Sequence, residues 1–381
     1  MGLLSEKKYD PAPSDFKLEQ VHVYIRHGER TPWSVPMEGP PANIPRFWNA
    51  CGATKRYKAA VMGENGMTDF TEIIRVNERR DGYAQEGECI SGELTDSGRK
   101  SSFRVGQELR KLYIERLGFL PDVLDSHKPV YFRPLKLDNL FANVEGCGRL
   151  EELLSEFKLA ATKDHNPKLE KLGPKLSKYI KGRPITVDTK PRLIAIIDTI
   201  RAANAHGVPI PPEFKDPNIF SVMESAICDV WFRGYKDEEF RRLAMGRLLA
   251  EVSEVMSARV NGMETPKIRL LACHTSLIGL CQTLGVFDNR WPKFTASVTF
   301  ELFSKSAPSS SSFSLLSRKP AAKYFVRMRY QNRNMALPAC AAPGDHLPGS
   351  PEFCTLAAFQ EHIRTMTPED WKKECIPKKP R

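Results

Sequence analysis

Two arginines flank one histidine within the five residues from Arg26 to Arg30, with Gly28 between them. A guanidinium group binds a phosphate through two parallel hydrogen bonds. A neutral imidazole nitrogen held beside that phosphate can attack phosphorus. Gly28 permits a tight turn that lets the backbone approach a ligand closely. His27 is therefore a candidate nucleophile, and Arg26 and Arg30 are candidate phosphate ligands.

A predicted strand must position this cluster. Val21, Val23 and Ile25 alternate with His22 and Tyr24, which is typical of a buried or half-buried strand. The charged residues begin where this strand stops, and ligands bind at such strand ends in open α/β sheets. An Arg-His-Gly tripeptide alone is a frequent coincidence. The prediction therefore depends on the full pattern, Arg-His-Gly-x-Arg-x-Pro, at the end of a strand.

The pattern resembles the signature of the histidine acid phosphatases, the second branch of the histidine phosphatase superfamily. Three further segments carry the resemblance, and they are residues 93–113, 130–133 and 270–303. The similarity runs from about residue 18 to the end of the chain and is closest to lysophosphatidic acid phosphatases and fungal relatives. It implies an α/β fold, a phosphoglycerate-mutase-like three-layer α/β/α core with an inserted, mainly helical cap.

The resemblance also implies a role for each site residue. His27 is the nucleophile that accepts the phosphoryl group, and Arg26, Arg30 and Arg133 bind the phosphoryl oxygens. His274 donates a hydrogen bond to the same group. The implied reaction is hydrolysis of a phosphate monoester through a phosphohistidine, on a small phosphorylated substrate, with lysophospholipids among the candidates. This chemistry requires no metal and no cofactor, and we expect neither.

The chain departs from the family after His274. Family members carry an Asp there, which protonates the leaving alcohol, whereas this chain continues with Thr275 and Ser276. The interval from His274 to Trp291 is one residue short, which indicates a deletion of the Asp. General acid catalysis contributes ~10²–10⁴-fold, so alkyl phosphates should suffer most and esters with acidic leaving groups least. Two interpretations stay open: an impaired phosphatase, and an inactive relative that binds phosphorylated ligands.

A second departure follows Arg133. Residues 134–138 lead directly to residues 139–143, which resemble family sequence beyond a long helix. We therefore expect that helix to be missing. The sequence leaves open whether the protein has diverged or whether it derives from a transcript or gene model that skipped coding segments.

The composition is that of a globular protein, with 41% hydrophobic and 27% charged residues among 381. A net charge of +11 suits an anionic substrate. It would also suit nucleic acid, but the sequence contains no zinc-finger spacing and no nucleic-acid recognition signature, so we predict no nucleic-acid partner.

The first eight residues become charged at once and lack a signal-peptide core. The chain contains no run of eighteen apolar residues, so we predict no transmembrane segment. A cytoplasmic location is predicted, with the mitochondrion as the alternative.

Nine cysteines occur without C-x-x-C spacing, which favours neither a zinc site nor a redox motif. Cys340 and Cys354 bracket a loop rich in Pro and Gly and could pair in an oxidising compartment. Without a signal peptide, free thiols are the expectation. Cys273 is predicted to be a small core residue.

Residues 1–17 are predicted to form a flexible leader, 18–138 and 263–381 the core, and 139–262 the helical cap. Long loops are predicted for 33–92 and a flexible excursion for 304–323. The sequence predicts strands at 128–133, 268–274, 297–303 and 324–330, and helices at 97–117 and 356–366.

Overall fold

In the computed structural model, the described residues are 4–62, 68–123, 138–305 and 323–378. They form two compact units. Unit 1 comprises Met1–Arg26, Val105–Lys158 and Trp231–Arg381, and unit 2 comprises His27–Arg104 and Leu159–Val230. Most of the predicted helical cap therefore belongs to the same unit as residues 27–104.

Unit 1 contains a mixed sheet. Its strands are β1 Phe16–Arg26, β4 Ile268–Cys273, β5 Ser297–Lys305, β6 Lys323–Tyr330, β7 Arg333–Met335, β8 His346–Leu347 and β9 Ser350–Thr355. They follow the order β4-β1-β5-β6-β9-β8, with β7 beside β6; β4 and β1 are parallel and the other pairs are antiparallel. Val21, Val23 and Tyr24 of β1 are fully buried, because helices cover the central strands.

The helices come from both units. The short ones are α3 Gly173–Leu176, α6 Glu238–Arg241 and α10 Trp371–Glu374. The longer helices are α1 Asp96–Arg110, α2 Gly148–Glu170, α4 Leu193–Ala205, α5 Pro217–Phe232, α7 Arg247–Val260, α8 Ser276–Thr283 and α9 Leu356–Met366. An α/β core with a large helical component matches the predicted fold class.

Two predicted elements of unit 1 are confirmed closely. β5 and β6 pair along their whole lengths, from Val298 with Tyr330 to Lys305 with Lys323. The helix predicted at 356–366 is α9. The excursion predicted at 304–323 falls mostly on residues 306–322, which lie outside the described residues.

The strand predicted at 268–274 is present as β4. Among the described residues it pairs with β1, and Leu270 is 60% exposed. The strand predicted at 128–133 lies outside the described residues.

The helix predicted at 97–117 is present, and α1 is continued by a π-helical segment, Lys111–Arg116. Val105, Leu109 and Leu112 are buried at the helical spacing i, i+4, i+7. Phe103 lies on the opposite side of α1 and is 69% exposed.

In unit 2, the long loops predicted for 33–92 contain a β-hairpin. Strands β2 Arg56–Met62 and β3 Thr68–Ile74 are antiparallel. Phe70 is 65% exposed and Ile73 48% exposed, so the hairpin is largely solvated. Such a hairpin has no buried face to impose an apolar alternation, which is why the sequence pattern does not reveal it.

The predicted flexible leader packs against unit 1 from residue 4 onwards. Leu4 and Tyr9 are 5% and 4% exposed. Arg327 donates to the Tyr9 hydroxyl at 2.7 Å and pairs with Glu301 at 2.8 Å, and both charged side chains are fully buried. A buried guanidinium needs several acceptors. The N-terminal segment supplies two of them, the Tyr9 hydroxyl and the Asp10 carbonyl, which apolar content alone does not predict.

The expectation of free thiols is wrong for six cysteines. The structure pairs Cys51 with Cys89, Cys147 with Cys375, and Cys340 with Cys354, with Cα–Cα separations of 4.6 to 5.5 Å. Two pairs join residues 38 and 228 positions apart, so only the tertiary fold brings them together. Disulfides persist in oxidising compartments, which weighs against the predicted cytoplasmic location. The location itself stays a prediction.

Candidate active site

His27 follows directly on the last residue of β1 and begins unit 2. Its Nδ1 lies 2.8 Å from the Gly28 carbonyl oxygen. A carbonyl oxygen only accepts hydrogen bonds, so Nδ1 must carry a proton. In the neutral ring this assigns the lone pair to Nε2. The imidazole is therefore held in the tautomer that a nucleophile requires.

The residues after His27 are clamped against the start of α1. We name residues 27–30 the motif loop. Backbone hydrogen bonds join Thr95 N to the Glu29 carbonyl at 3.1 Å and Thr31 N to the Glu93 carbonyl at 2.9 Å. A Cβ added to Gly28 would lie 2.2 Å from the Gly98 oxygen, and one added to Gly98 would lie 2.0 Å from the Glu29 oxygen. This contact accommodates glycine alone.

We expect Gly98→Ala to destabilise the protein by about 2 kcal/mol or more, because its Cβ forces the motif loop away from α1. Gly106→Ala on the same helix is the matched control, since a Cβ there meets nothing within 4 Å. It should stabilise by about 0.5–1 kcal/mol through helix propensity. Denaturant titration of the two variants tests this. Equal free energies of unfolding would contradict the close contact.

Arg26 ends β1 in unit 1 and is 4% exposed. Its Nη1 donates to the Pro292 carbonyl, and its guanidinium lies over the Phe294 ring at 4.9 Å from the centroid. A cation–π contact and a carbonyl acceptor together restrict the rotamer of this side chain. Arg26 is thus a rigidly held cation at the strand end.

Arg30, in unit 2, is held by a carboxylate that the sequence does not reveal. Its Nη2 and Nη1 donate to the two oxygens of Asp198 at 2.7 and 3.1 Å, and Nη1 also donates to the Thr31 carbonyl. Asp198 accepts from Trp33 N at 3.0 Å as well. These bonds use three of the five guanidinium N–H groups, so two stay available for a ligand. Asp198 lies in the apolar stripe of α4, where no local motif marks it.

His274 follows the last residue of β4. The register pairs Arg26 with Cys273, so His27 and His274 are each the first residue after one strand pair. Cys273, predicted to be a core residue, is only partly buried, and desolvation raises the pKa of its thiol to about 12. Thr275 is the N-cap of α8. Arg133, the other predicted phosphate ligand, lies outside the described residues.

A cleft of about 1280 Å³ within unit 2 is lined by Thr31 and Pro32, next to the motif loop. The aromatic residues Trp33, Phe47 and Trp48 line it, and Trp33 is 69% exposed. Five lining cations make no ion pair within the described part of the chain, and they are Arg80, Lys181, Arg183, Lys190 and Arg192. The cleft therefore offers positive charge and aromatic surface together.

Across the described ranges, no cluster of His, Cys, Asp or Glu side chains could hold a metal ion. In those same ranges, no helix combines the length and the apolar character needed to cross a membrane.

Known proteins are similar in sequence to this chain over most of its length. A probable acid phosphatase of Schizosaccharomyces pombe is 27% identical, covering 96% of both chains. Human lysophosphatidic acid phosphatase type 6 is 22% identical, covering 94% of this chain and 86% of its own. The fission yeast alignment extends over 445 positions. That exceeds the 381 residues here, so the relative contains segments that this chain lacks.

Solved structures share the fold at low identity. Hafnia alvei phytase in its apo form matches with a TM-score of 0.56 and 14% identity, over 96% of this chain and 99% of its own. The Bifidobacterium longum multiple inositol polyphosphate phosphatase in complex with inositol hexasulfate matches with a TM-score of 0.56 and 12% identity, over 94% of each chain. The family model of the histidine phosphatase superfamily, branch 2, matches residues 17–134, which include the whole motif loop. The chain is thus similar to the histidine phosphatase superfamily, branch 2, over residues 17–134.

Proposed function

We propose that the protein is an acid phosphatase-like hydrolase of phosphate monoesters that forms a phosphohistidine on His27 and protonates alkyl leaving groups poorly. One observation carries this proposal. The hydrogen bond from His27 Nδ1 to the Gly28 carbonyl assigns the lone pair to Nε2, in a family of phosphatases and at the residue that matches the family signature.

The reaction has two steps. In the first, His27 Nε2 attacks phosphorus, an N–P bond forms, and the P–O bond of the ester breaks; the departing oxygen leaves as an oxide anion that takes its proton from solvent water. In the second, water attacks phosphorus, the N–P bond breaks, and inorganic phosphate and neutral imidazole are released. Arg26 and Arg30 stabilise the charge on the phosphoryl oxygens in both steps. Arg133 and His274 take the roles that the family resemblance implies.

The protein differs from the family that it resembles in how the leaving group is protonated. The departing oxygen of an alkyl ester needs a proton, and a positioned acid supplies it with a gain of ~10²–10⁴-fold. Thr275 and Ser276 follow His274, and neither hydroxyl is acidic enough to replace a carboxylic acid. An aryl oxide leaves without that proton, so aryl esters should be the better substrates.

The cleft supports a small phosphorylated substrate with an apolar part. Its five cations that make no ion pair attract a phosphate dianion. The exposed Trp33 ring and the Phe47 ring offer apolar surface beyond the phosphate. A lysophospholipid combines these two features, and one relative is named for lysophosphatidic acid.

The proposal is tested by comparing an aryl phosphate with glycerol 3-phosphate on purified protein. We expect kcat/KM for the aryl ester to exceed that for the alkyl ester by ~10²–10⁴-fold. Equal turnover of both esters would show that an acid is present and would contradict the proposed defect.

The alternative is a catalytically inactive family member that binds phosphorylated ligands, and the residues after His274 favour it. This alternative predicts that the protein hydrolyses neither ester. It also predicts that isothermal titration calorimetry detects binding of inorganic phosphate to the protein. Turnover that requires His27 would exclude this alternative.

A further inference from the structure

Unit 1 buries two arginines next to each other on β6. Arg327 and Arg329 are 0% and 1% exposed, and side chains two residues apart on a strand share one face of the sheet. The register places Arg327 opposite Glu301 of β5, which is 0% exposed as well. It places Arg329 opposite Thr299 of β5 and Asn334 of β7. This face of the sheet therefore holds two buried guanidinium groups and a buried carboxylate.

The Glu301 carboxylate is occupied by Arg327 and Tyr113. Arg327 Nε donates to Oε2 at 2.9 Å, and Arg327 Nη2 lies 2.8 Å from the same oxygen. The Tyr113 hydroxyl donates to Oε1 at 2.8 Å. Arg329 Nη1 lies 3.8 Å from Oε1, which is beyond hydrogen-bond distance. The carboxylate therefore offsets one of the two cations, and one positive charge remains on this buried face.

Arg329 makes no hydrogen bond to any residue in the described ranges. Its Nε, Nη1 and Nη2 atoms are all buried and lack an acceptor there. The Tyr9 ring centroid lies 4.5 Å from the guanidinium carbon, and the ring attracts the cation without neutralising it. Burial, and after it the Glu301 charge, raises the pKa of Tyr9 above its usual value of 10, so this phenol adds no negative charge near neutral pH. Buried charged donors without acceptors are costly, so Arg329 needs a ligand.

The neighbouring side chains do not offset the charge of Arg329. Asn334 Oδ1 is a buried acceptor that makes no hydrogen bond in the part of the chain that the structure describes. An amide oxygen accepts an N–H of a guanidinium but carries no net charge. The Asn334 Nδ2 group donates to the Asp10 carboxylate at 3.0 Å. Asp10 is exposed, so solvent screens its negative charge. The ligand that Arg329 needs is therefore an anion.

We propose that unit 1 binds one small monovalent anion of the halide type against the Arg329 guanidinium. A single negative charge neutralises this buried face, whereas a phosphate dianion would leave it with a net negative charge. Ser297 lies on the same face, two residues before Thr299 on β5. It is 0% exposed, and its hydroxyl has no partner among the described residues. A hydroxyl donates to an anion, so Ser297 is a candidate second donor. The site does not depend on the reaction proposed for His27.

Bromide is the probe for this site, because it is a halide whose anomalous scattering identifies it in a crystal. In crystals of the full chain grown in sodium bromide, we expect a strong anomalous peak beside the Arg329 guanidinium. Crystals of Arg329→Met should lack that peak. Bromide bound at exposed arginines alone, or electron density for a neutral water at Arg329, would overturn the proposal.

A solution measurement tests the same site. Melting temperatures are compared in sodium chloride and in sodium gluconate at equal ionic strength, for wild type and for Arg329→Met, which lacks the buried charge. With chloride about tenfold above its Kd, the change from gluconate to chloride should raise the melting temperature of wild type by about 3 °C more than that of Arg329→Met.

Arg364→Met is the matched control for the melting experiment. The Arg364 side chain is 73% exposed and pairs with Glu361 at 2.7 Å, so the chloride response of this variant should equal that of wild type. The same chloride response in wild type and Arg329→Met would overturn the proposal. The bromide peak in wild type decides the proposal if Arg329→Met does not fold.

Discussion

Replacing His27 with Ala is expected to lower kcat/KM for an aryl phosphate by about 10⁴-fold or more, because removal of a covalent nucleophile eliminates its pathway and leaves only binding and charge stabilisation. Arg26 and Arg30 would still attract the phosphate, so KM should change far less than kcat. Steady-state kinetics on both proteins give this result directly.

The matched control for that experiment is His362→Ala. His362 lies on α9 in unit 1, is partly buried, and makes none of the contacts of the motif loop. Its substitution should leave kcat/KM for the same ester within about twofold of wild type. Equal rates for wild type and His27→Ala on aryl and alkyl esters would contradict the enzymatic proposal.

Thr275→Asp is expected to raise kcat/KM for glycerol 3-phosphate by about 10²-fold while changing the rate on an aryl phosphate little. The substitution places a carboxyl directly after His274, where the family carries its acid, and general acid catalysis contributes at least that much for an alkoxide leaving group. Thr275 occupies the N-cap position of α8, where its side chain makes no capping hydrogen bond. Its replacement removes no such bond and Asp is a preferred N-cap residue, so the variant should retain the stability of wild type.

Thr275→Asn separates the acid from the cap in that experiment. Asn matches Asp in size and in capping ability but cannot donate a carboxylic proton. The rate on glycerol 3-phosphate should therefore rise in the Asp variant and not in the Asn variant. An equal rise of kcat/KM in the Asp and Asn variants would contradict the proposed lack of a general acid. An equal rise of kcat/KM on aryl and alkyl esters in the Asp variant would contradict it as well.

Features with a strong local signal could be predicted from the sequence. The alternation of residues 297–303 and 324–330 indicated a strand pair, and β5 and β6 form it. The apolar run of Val21, Val23 and Ile25 ends at Arg26, and β1 ends at the same residue. A motif with its own residue types, such as that of residues 26–32, is visible because the chemistry sits in contiguous residues.

Features made by tertiary contact could not be predicted. Asp198 bonds to Arg30 of the motif loop from 168 residues away in sequence, and His206 bonds to Thr95 from 111 residues away; neither belongs to a local pattern. The Cys51–Cys89 and Cys147–Cys375 disulfides likewise depend on the fold, whereas the loop between Cys340 and Cys354 made that pair visible as a candidate.

The central claim is a phosphohistidine at His27, and rapid denaturation of the enzyme during turnover of a ³²P-labelled aryl phosphate tests it most directly. Wild-type protein should retain label that is stable in base and lost in acid, as a phosphoramidate bond requires, and peptide mapping should locate it on the peptide that contains His27. His27→Ala should retain none. Turnover by wild type without labelled protein, or equal labelling of His27→Ala, would contradict the account.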